Sequence, residues 1–140
     1  MPAPPLTYIL DGHNVLYAMR QAFLEQLAEG HPGTAAREEL IQRLARAFIP
    51  PGPEVFLYFD GSAPGTESPS EQLRVIYPGG EGDQRADTAI LEHVNEHLQA
   101  GKEAQLVVVT RDIKLARRAR KRGASVLEPA EFFEAWKLGA

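Results

Sequence analysis

Cysteine is absent from the 140-residue chain, so neither a disulfide nor a thiolate-held metal centre is available to it. No apolar run approaches the roughly 20 residues of a membrane-spanning helix. The opening MPAPPLTYIL lacks the basic start and long apolar core of a secretion signal. A cytoplasmic location is therefore expected. No repeat, low-complexity tract or compositional break divides the chain, so one domain over residues 1–140 is expected. Excess positive charge is also missing: the formal net charge is −4, which does not advertise a partner for nucleic acid. The distribution of charge says more. Residues 111–122 hold seven basic side chains and one acid, leaving 8 basic against 18 acidic residues elsewhere. A basic patch on an acidic body follows. The remaining composition, 44% hydrophobic and 24% charged, is that of an ordinary globular chain.

Strand-like and helix-like segments alternate. Leu6–Leu10, Val55–Phe59, Leu73–Tyr77, Leu106–Thr110 and Ser125–Leu127 are short apolar runs that read as buried strands. Helical spacing marks Val15–Ala28, Thr34 to about Phe48, Ala86–Gln99, Asp112–Arg122 and a last helix that Pro129 opens. Gly30 with Pro32 and Pro50–Pro53 stop the first two helices. The Gly-, Ser- and Pro-rich residues 61–71 read as a loop, and Pro78–Gly82 as a turn. Strands apolar throughout and separated by helices predict a three-layer α/β/α fold with a central, mainly parallel, five-stranded sheet. Right-handed crossovers then put every strand's carboxyl end on one edge, where such sheets bind ligands.

Aspartates collect at that edge. Asp11 and Asp60 end the first two strands, Asp112 follows the fourth, and Asp87 lies in the first turn of the helix after the third. Asp87 also continues the apolar stripe of Ile90, Leu91, Val94 and Leu98, so it faces the sheet. A buried carboxylate needs a partner, and a metal shared with Asp11 and Asp112 would be one. Hard carboxylate oxygens without cysteine or a histidine cluster suit Mg²⁺ or Mn²⁺. Each acid has an ordinary alternative. Asp11-Gly12 and Asp60-Gly61 suit turns, Asp112 suits an N-cap, and Asp87 complements a helix dipole. Turn chemistry alone does not require the four to converge.

Asp11-Gly12-His13-Asn14, Phe59-Asp60-Gly61, Ala86-Asp87-Thr88-Ala89-Ile90 and Thr110-Arg111-Asp112 follow, in order, the pattern of NYN domains. The chain most resembles the YacP-type branch of the PIN-like nuclease superfamily over nearly its whole length. The resemblance implies a metal-dependent ribonuclease, with Asp11, Asp87 and Asp112 as ligands of Mg²⁺ or Mn²⁺. Asn14 and Asp60 would support the site. Asn14 is read either as orienting water or Asp11, or as capping the first helix. The chemistry implied is phosphodiester hydrolysis of RNA by metal-activated water, read here as endonucleolytic although the sequence does not itself separate endo- from exonucleolytic action. Arg111, Lys114, Arg117 and Arg118, followed by Lys121 and Arg122, would contact phosphates without reading sequence. Arg85 would face phosphate or a neighbouring acid. The pattern departs at Gln84 and Arg85, where YacP-type sequences often carry a small hydroxyl residue. Asp83 is read as an extra acidic ligand or a helix cap.

Other motifs carry less. His93 and His97 stand four apart on a helix but lack a third zinc ligand, and Gly79-Gly80-Glu81-Gly82 lacks the Lys-Ser/Thr of a phosphate loop. Phe132, Phe133 and Trp136 read as core contacts. A haloacid-dehalogenase-type phosphatase needs an aspartate where His13 stands. A non-catalytic RNA-binding module would keep the basic helix without needing the acids. A toxin-type nuclease with a protein inhibitor, a ribosome partner and an oligomer all remain open as expectations.

Overall fold

Alternating extended and helical segments build three layers around a mixed sheet of six strands. The computed structural model describes residues 6–27, 33–60, 63–79, 85–100 and 105–139. The strands are β1 (Leu6–Asp11), β2 (Glu54–Tyr58), β3 (Gly65–Glu67), β4 (Leu73–Tyr77), β5 (Gln105–Val109) and β6 (Ser125–Leu127). The helices are α1 (Gly12–Ala18), α2 (Leu24–Leu27), α3 (Thr34–Ala47), α4 (Arg85–Gln99), α5 (Ile113–Lys121) and α6 (Pro129–Trp136).

The sheet order is β3-β4-β2-β1-β5-β6, parallel throughout except where β3 meets β4. The chain starts in the middle at β1, moves outward to β4, and returns through α4 to β5 on β1's other side. Leu10 sits opposite Leu57 on one flank and Val109 on the other. Strand order therefore reverses between β1 and β5, the position where parallel sheets open a crevice at their carboxyl ends.

The pleat sorts side chains between two cores. Tyr8 and Leu10 pack with Val15 of α1, Leu40 and Leu44 of α3, and Phe132 and Phe133 of α6. Ile9 and Val108 pack on the opposite face with Ile90 and Val94 of α4 and Leu115 and Ala119 of α5. Phe132 and Phe48 stack at 5.9 Å with Tyr8 edge-on at 4.9 Å, and the Trp136 indole donates to the Tyr8 hydroxyl. The last helix is thus locked onto the first strand, as its aromatic spacing predicts.

Two expectations need correction. The sheet has six strands, not five, because part of the loop expected at 61–71 forms β3 along β4. Its residues Gly, Thr and Glu are all exposed, so hydrogen bonding to an edge makes the strand and no apolar pattern announces it. The helix expected over Val15–Ala28 is interrupted: α1 ends at Ala18, a 3-10 turn covers Arg20–Phe23, and α2 follows. The break turns Phe23 fully inward, against Phe133 at 6.0 Å, while Leu24 stays exposed. Ala28, Gly30 and Pro32 lie outside the described residues. The helix read from Thr34 does begin there, with Gly33 in the N-cap position. Among the described residues no helix is long and apolar enough to cross a membrane.

Candidate active site

The pleat also aims the acids. Asp11 shares the parity of Ile9, Asp60 that of Tyr58, and Thr110 that of Val108, and those three neighbours all belong to the core under α4 and α5. Each strand therefore delivers its last polar side chain toward the start of α4 and α5, which carry Asp87 and Asp112. Asp11, Asp60, Asp87 and Asp112 line one cavity of about 630 Å³, together with Asn14 and His13.

Asp11 is 7% exposed and occupies the formal N-cap position of α1, yet its carboxylate makes no capping bond. It meets the Thr110 hydroxyl instead, at 3.4 Å. Gly12 must follow it, because a Cβ there would come within 2.7 Å of the Tyr58 carbonyl oxygen and drive into the Phe59 ring. Burial, then the charges of Asp87 and Asp112, and to a lesser extent that of Asp60, push the Asp11 carboxyl up to about 7. The Thr110 hydrogen bond opposes the shift only partly. Asp87 is half-buried and is raised for the same reasons, burial first and then Asp112 and Asp60, with Arg118 opposing. Several carboxylates thus share a space that holds more negative charge than it can solvate.

Asp112 does cap α5: its Oδ1 accepts from the Lys114 and Leu115 amides at 2.9 and 3.2 Å. Capping and lining the cavity are compatible. Asp60 Oδ1 accepts from the Ala86 amide at 2.8 Å, so it pins the start of α4 and with it the position of Asp87. Asn14 lies inside α1 and caps nothing. Its Oδ1 accepts from the Arg111 amide at 2.6 Å and faces the Thr110 hydroxyl at 3.3 Å. The backbone amide of Asp112 donates to that same hydroxyl at 3.1 Å. Thr110 is thus the buried knot between β1, α1 and α5. Sequence reasoning passed over it because a threonine ending a strand reads as a β-former. Its place directly before Arg-Asp at the carboxyl edge was the available signal.

Five further residues line the cavity without having been singled out for the site. His13 Nε2 donates to the Asp60 carbonyl at 3.1 Å, a contact that fixes the proton on Nε2 because a carbonyl only accepts. Leu16, Tyr17 and Leu27 form an apolar wall with Arg20 beside them. The α1–α2 segment had been read only as a helix, which hid its contribution.

The cations divide. Arg111, Lys114, Arg117 and Arg118 are exposed on or just before α5, and Arg118 is near enough to Asp87 to lower its pKa. Arg85 Nε donates to the Gly79 carbonyl at 3.2 Å, which ties that side chain back to the end of β4. Asp83 lies outside the described residues, as do Gly61, Gly80, Glu81, Gly82 and Gln84. His93 is held by the Tyr58 hydroxyl at 2.7 Å. Among the described residues no three acidic or histidine side chains stand as a ready-made metal-holding group. The chemistry of the donors is nonetheless that of a hard-cation site: carboxylate oxygens, one of them buried and protonatable near neutrality.

The YacP-like NYN domain family matches residues 8–138. No curated protein matches the sequence significantly. Two solved structures of Rae1 (YacP) from Bacillus subtilis share the fold. One, a point variant, is 22% identical with a TM-score of 0.71, over 94% of this chain and 75% of that one. The other is 23% identical with a TM-score of 0.66, over 94% and 73%.

Proposed function

Since the chain belongs to the YacP-like NYN domain family, whose members are PIN-like ribonucleases, we propose that it hydrolyses RNA phosphodiester bonds, internally, with a divalent metal ion held by Asp11, Asp87 and Asp112. One observation carries the reading. Acids from three separate elements meet where the strand order reverses, and Asp11 is buried among them with its proton affinity raised to near neutrality. A cation relieves that repulsion; simple turns and caps have no use for it. Mg²⁺ or Mn²⁺ suits these hard oxygens. When bound, such an ion supplies activated water and charge stabilisation at phosphorus. Asp11, Asp87 and Asp112 would hold the ion at the cavity they line together.

The chain's own residues set the stage. Thr110 and Asn14 hold Asp11 and the Arg111–Asp112 turn in register. Asp60 keeps the amino end of α4, and so Asp87, at the edge. Arg111, Lys114, Arg117 and Arg118 offset the local negative charge and offer phosphate contacts. Arg85 holds the Gly79 carbonyl through Nε, and its terminal guanidinium nitrogens would be the ones to meet a phosphate. An RNA-processing role in the cytoplasm fits this set. A ribosomal or inhibitory protein partner stays part of this proposal, without an assigned surface.

The test is cleavage of end-labelled single-stranded RNA in Mn²⁺, in Mg²⁺ and in EDTA, beside Asp87→Asn. Metal-dependent cutting that the variant loses supports the reading. RNA binding that is equal in both proteins, indifferent to metal and without cutting overturns it.

A further inference from the structure

The carboxylates occupy only part of their cavity. A hydrated ion does not need about 630 Å³, which lies in the size range of pockets for whole small ligands. The rest of the wall is of opposite character: Leu16, buried on α1, Leu27 at the end of α2, and the Tyr17 ring, 73% exposed. Arg20 fastens that ring. Its Nη1 donates to the Tyr17 carbonyl at 3.1 Å and its guanidinium lies 5.1 Å from the ring centroid. A cation against one face of an aromatic ring leaves the other for a flat π-system. The interruption after Ala18 keeps Tyr17, Arg20 and Leu27 around one opening instead of winding them along a continuous helix.

From this juxtaposition we infer that Tyr17, with Leu16, Leu27 and Arg20, forms a subsite for one unpaired nucleobase next to the scissile phosphate. The proposal rests on the ribonuclease reading and narrows its substrate to single-stranded RNA. A base inside a duplex presents only its edge; its face is accessible when the nucleotide is unstacked. Stacking on an aromatic side chain tolerates any base, so the subsite selects strandedness and not sequence. A single cavity lined by both acids and an apolar, aromatic set matches the two ends of a nucleotide: phosphate toward the acids, base toward Tyr17.

The test uses the full chain, an eight-nucleotide single strand, the same strand with one central abasic site, and the corresponding duplex. Affinities are measured for wild type, Tyr17→Ala and Tyr17→Phe. Because Tyr17 is exposed, neither substitution alters the thermal midpoint, which is checked alongside. Tyr17→Ala is expected to weaken single-strand binding roughly 5- to 100-fold, the range of one lost base–aromatic stack, and Tyr17→Phe to restore it. The abasic strand should bind wild type as weakly as the intact strand binds Tyr17→Ala, with no further loss when both changes are combined. Duplex affinity should be indifferent to Tyr17. Unchanged binding and KM in Tyr17→Ala overturn the subsite even if the protein cuts RNA. Tyr17-dependent single-strand binding by a protein that cuts nothing in any metal keeps the subsite and sinks the nuclease.

Discussion

A buried acid among other acids costs the fold free energy, and Asp11 makes that cost measurable. In the unfolded chain it loses its proton near 3.8, in the folded protein near 7. Between those values the native state holds a proton that the unfolded state has released, so stability falls as pH rises from about 4 to about 7. The full penalty stands above 7. Asp11→Asn removes the charge, and the metal-free variant should melt several degrees above the parent at pH 8, a gain on the order of 2–4 kcal/mol that shrinks toward pH 5. Cleavage should be lost in the same variant. A midpoint at pH 8 equal to or below the parent's would show that Asp11 is not under electrostatic stress. Ion loading should also strengthen as pH rises through 7, because the ion displaces that proton. Thr110 makes a second case. Thr110→Val keeps the shape and deletes the hydroxyl that three groups use. It should lower kcat roughly 10- to 100-fold with little change in KM, and Thr110→Ser should recover most of the loss. Asp11, Asp87 and Asp112 were legible from the sequence because position after a strand or in a first helical turn is enough to place them. Thr110 was not, since nothing in a strand-ending threonine says which side chains will converge on it.

At the scale of elements, α4 and α5 reach the site by different means. Asp112 caps its own helix, whereas α4 is pinned from another strand by Asp60. Asp60→Ala should cost about 1 kcal/mol in unfolding free energy, and should lower cleavage far more than that figure implies, because Asp87 loses its anchor. Asp60→Asn keeps an acceptor and should retain most of the stability; equal losses in both variants would mean the charge, not the cap, matters. Five of the six strands and the four longer helices were readable from periodicity. What escaped was irregular: an edge strand of three exposed residues, and a helix whose apolar spacing continues across its break. Both owe their form to contacts with distant segments. No local pattern encodes those.

Across the whole molecule, charge is segregated. Basic α5 flanks an acidic cavity, so affinity for RNA should fall steeply with salt. Lys114→Gln and Arg117→Gln should each lower the log–log salt slope by about 1, without altering which strand is bound. The two cores flank one sheet, and Phe132→Ala, emptying a fully buried site against Tyr8 and Phe48, should cost about 3–5 kcal/mol on thermal unfolding. The three layers followed from strand–helix alternation, while the strand order that sets the reversal between β1 and β5, and the backbone break behind the cavity's apolar side, are not advertised by the sequence. The strand order has one more consequence, and it concerns time. β1 is made first but lies between β2 and β5, and Asp11 waits for Thr110 and Asp112 from a segment synthesised about a hundred residues later. During translation the growing chain carries Asp11, Asp60 and then Asp87 with nothing to close them. An enzyme that cuts RNA while still attached to its own message would be a hazard. On the ribonuclease reading proposed above, the residues that would cut are brought together last.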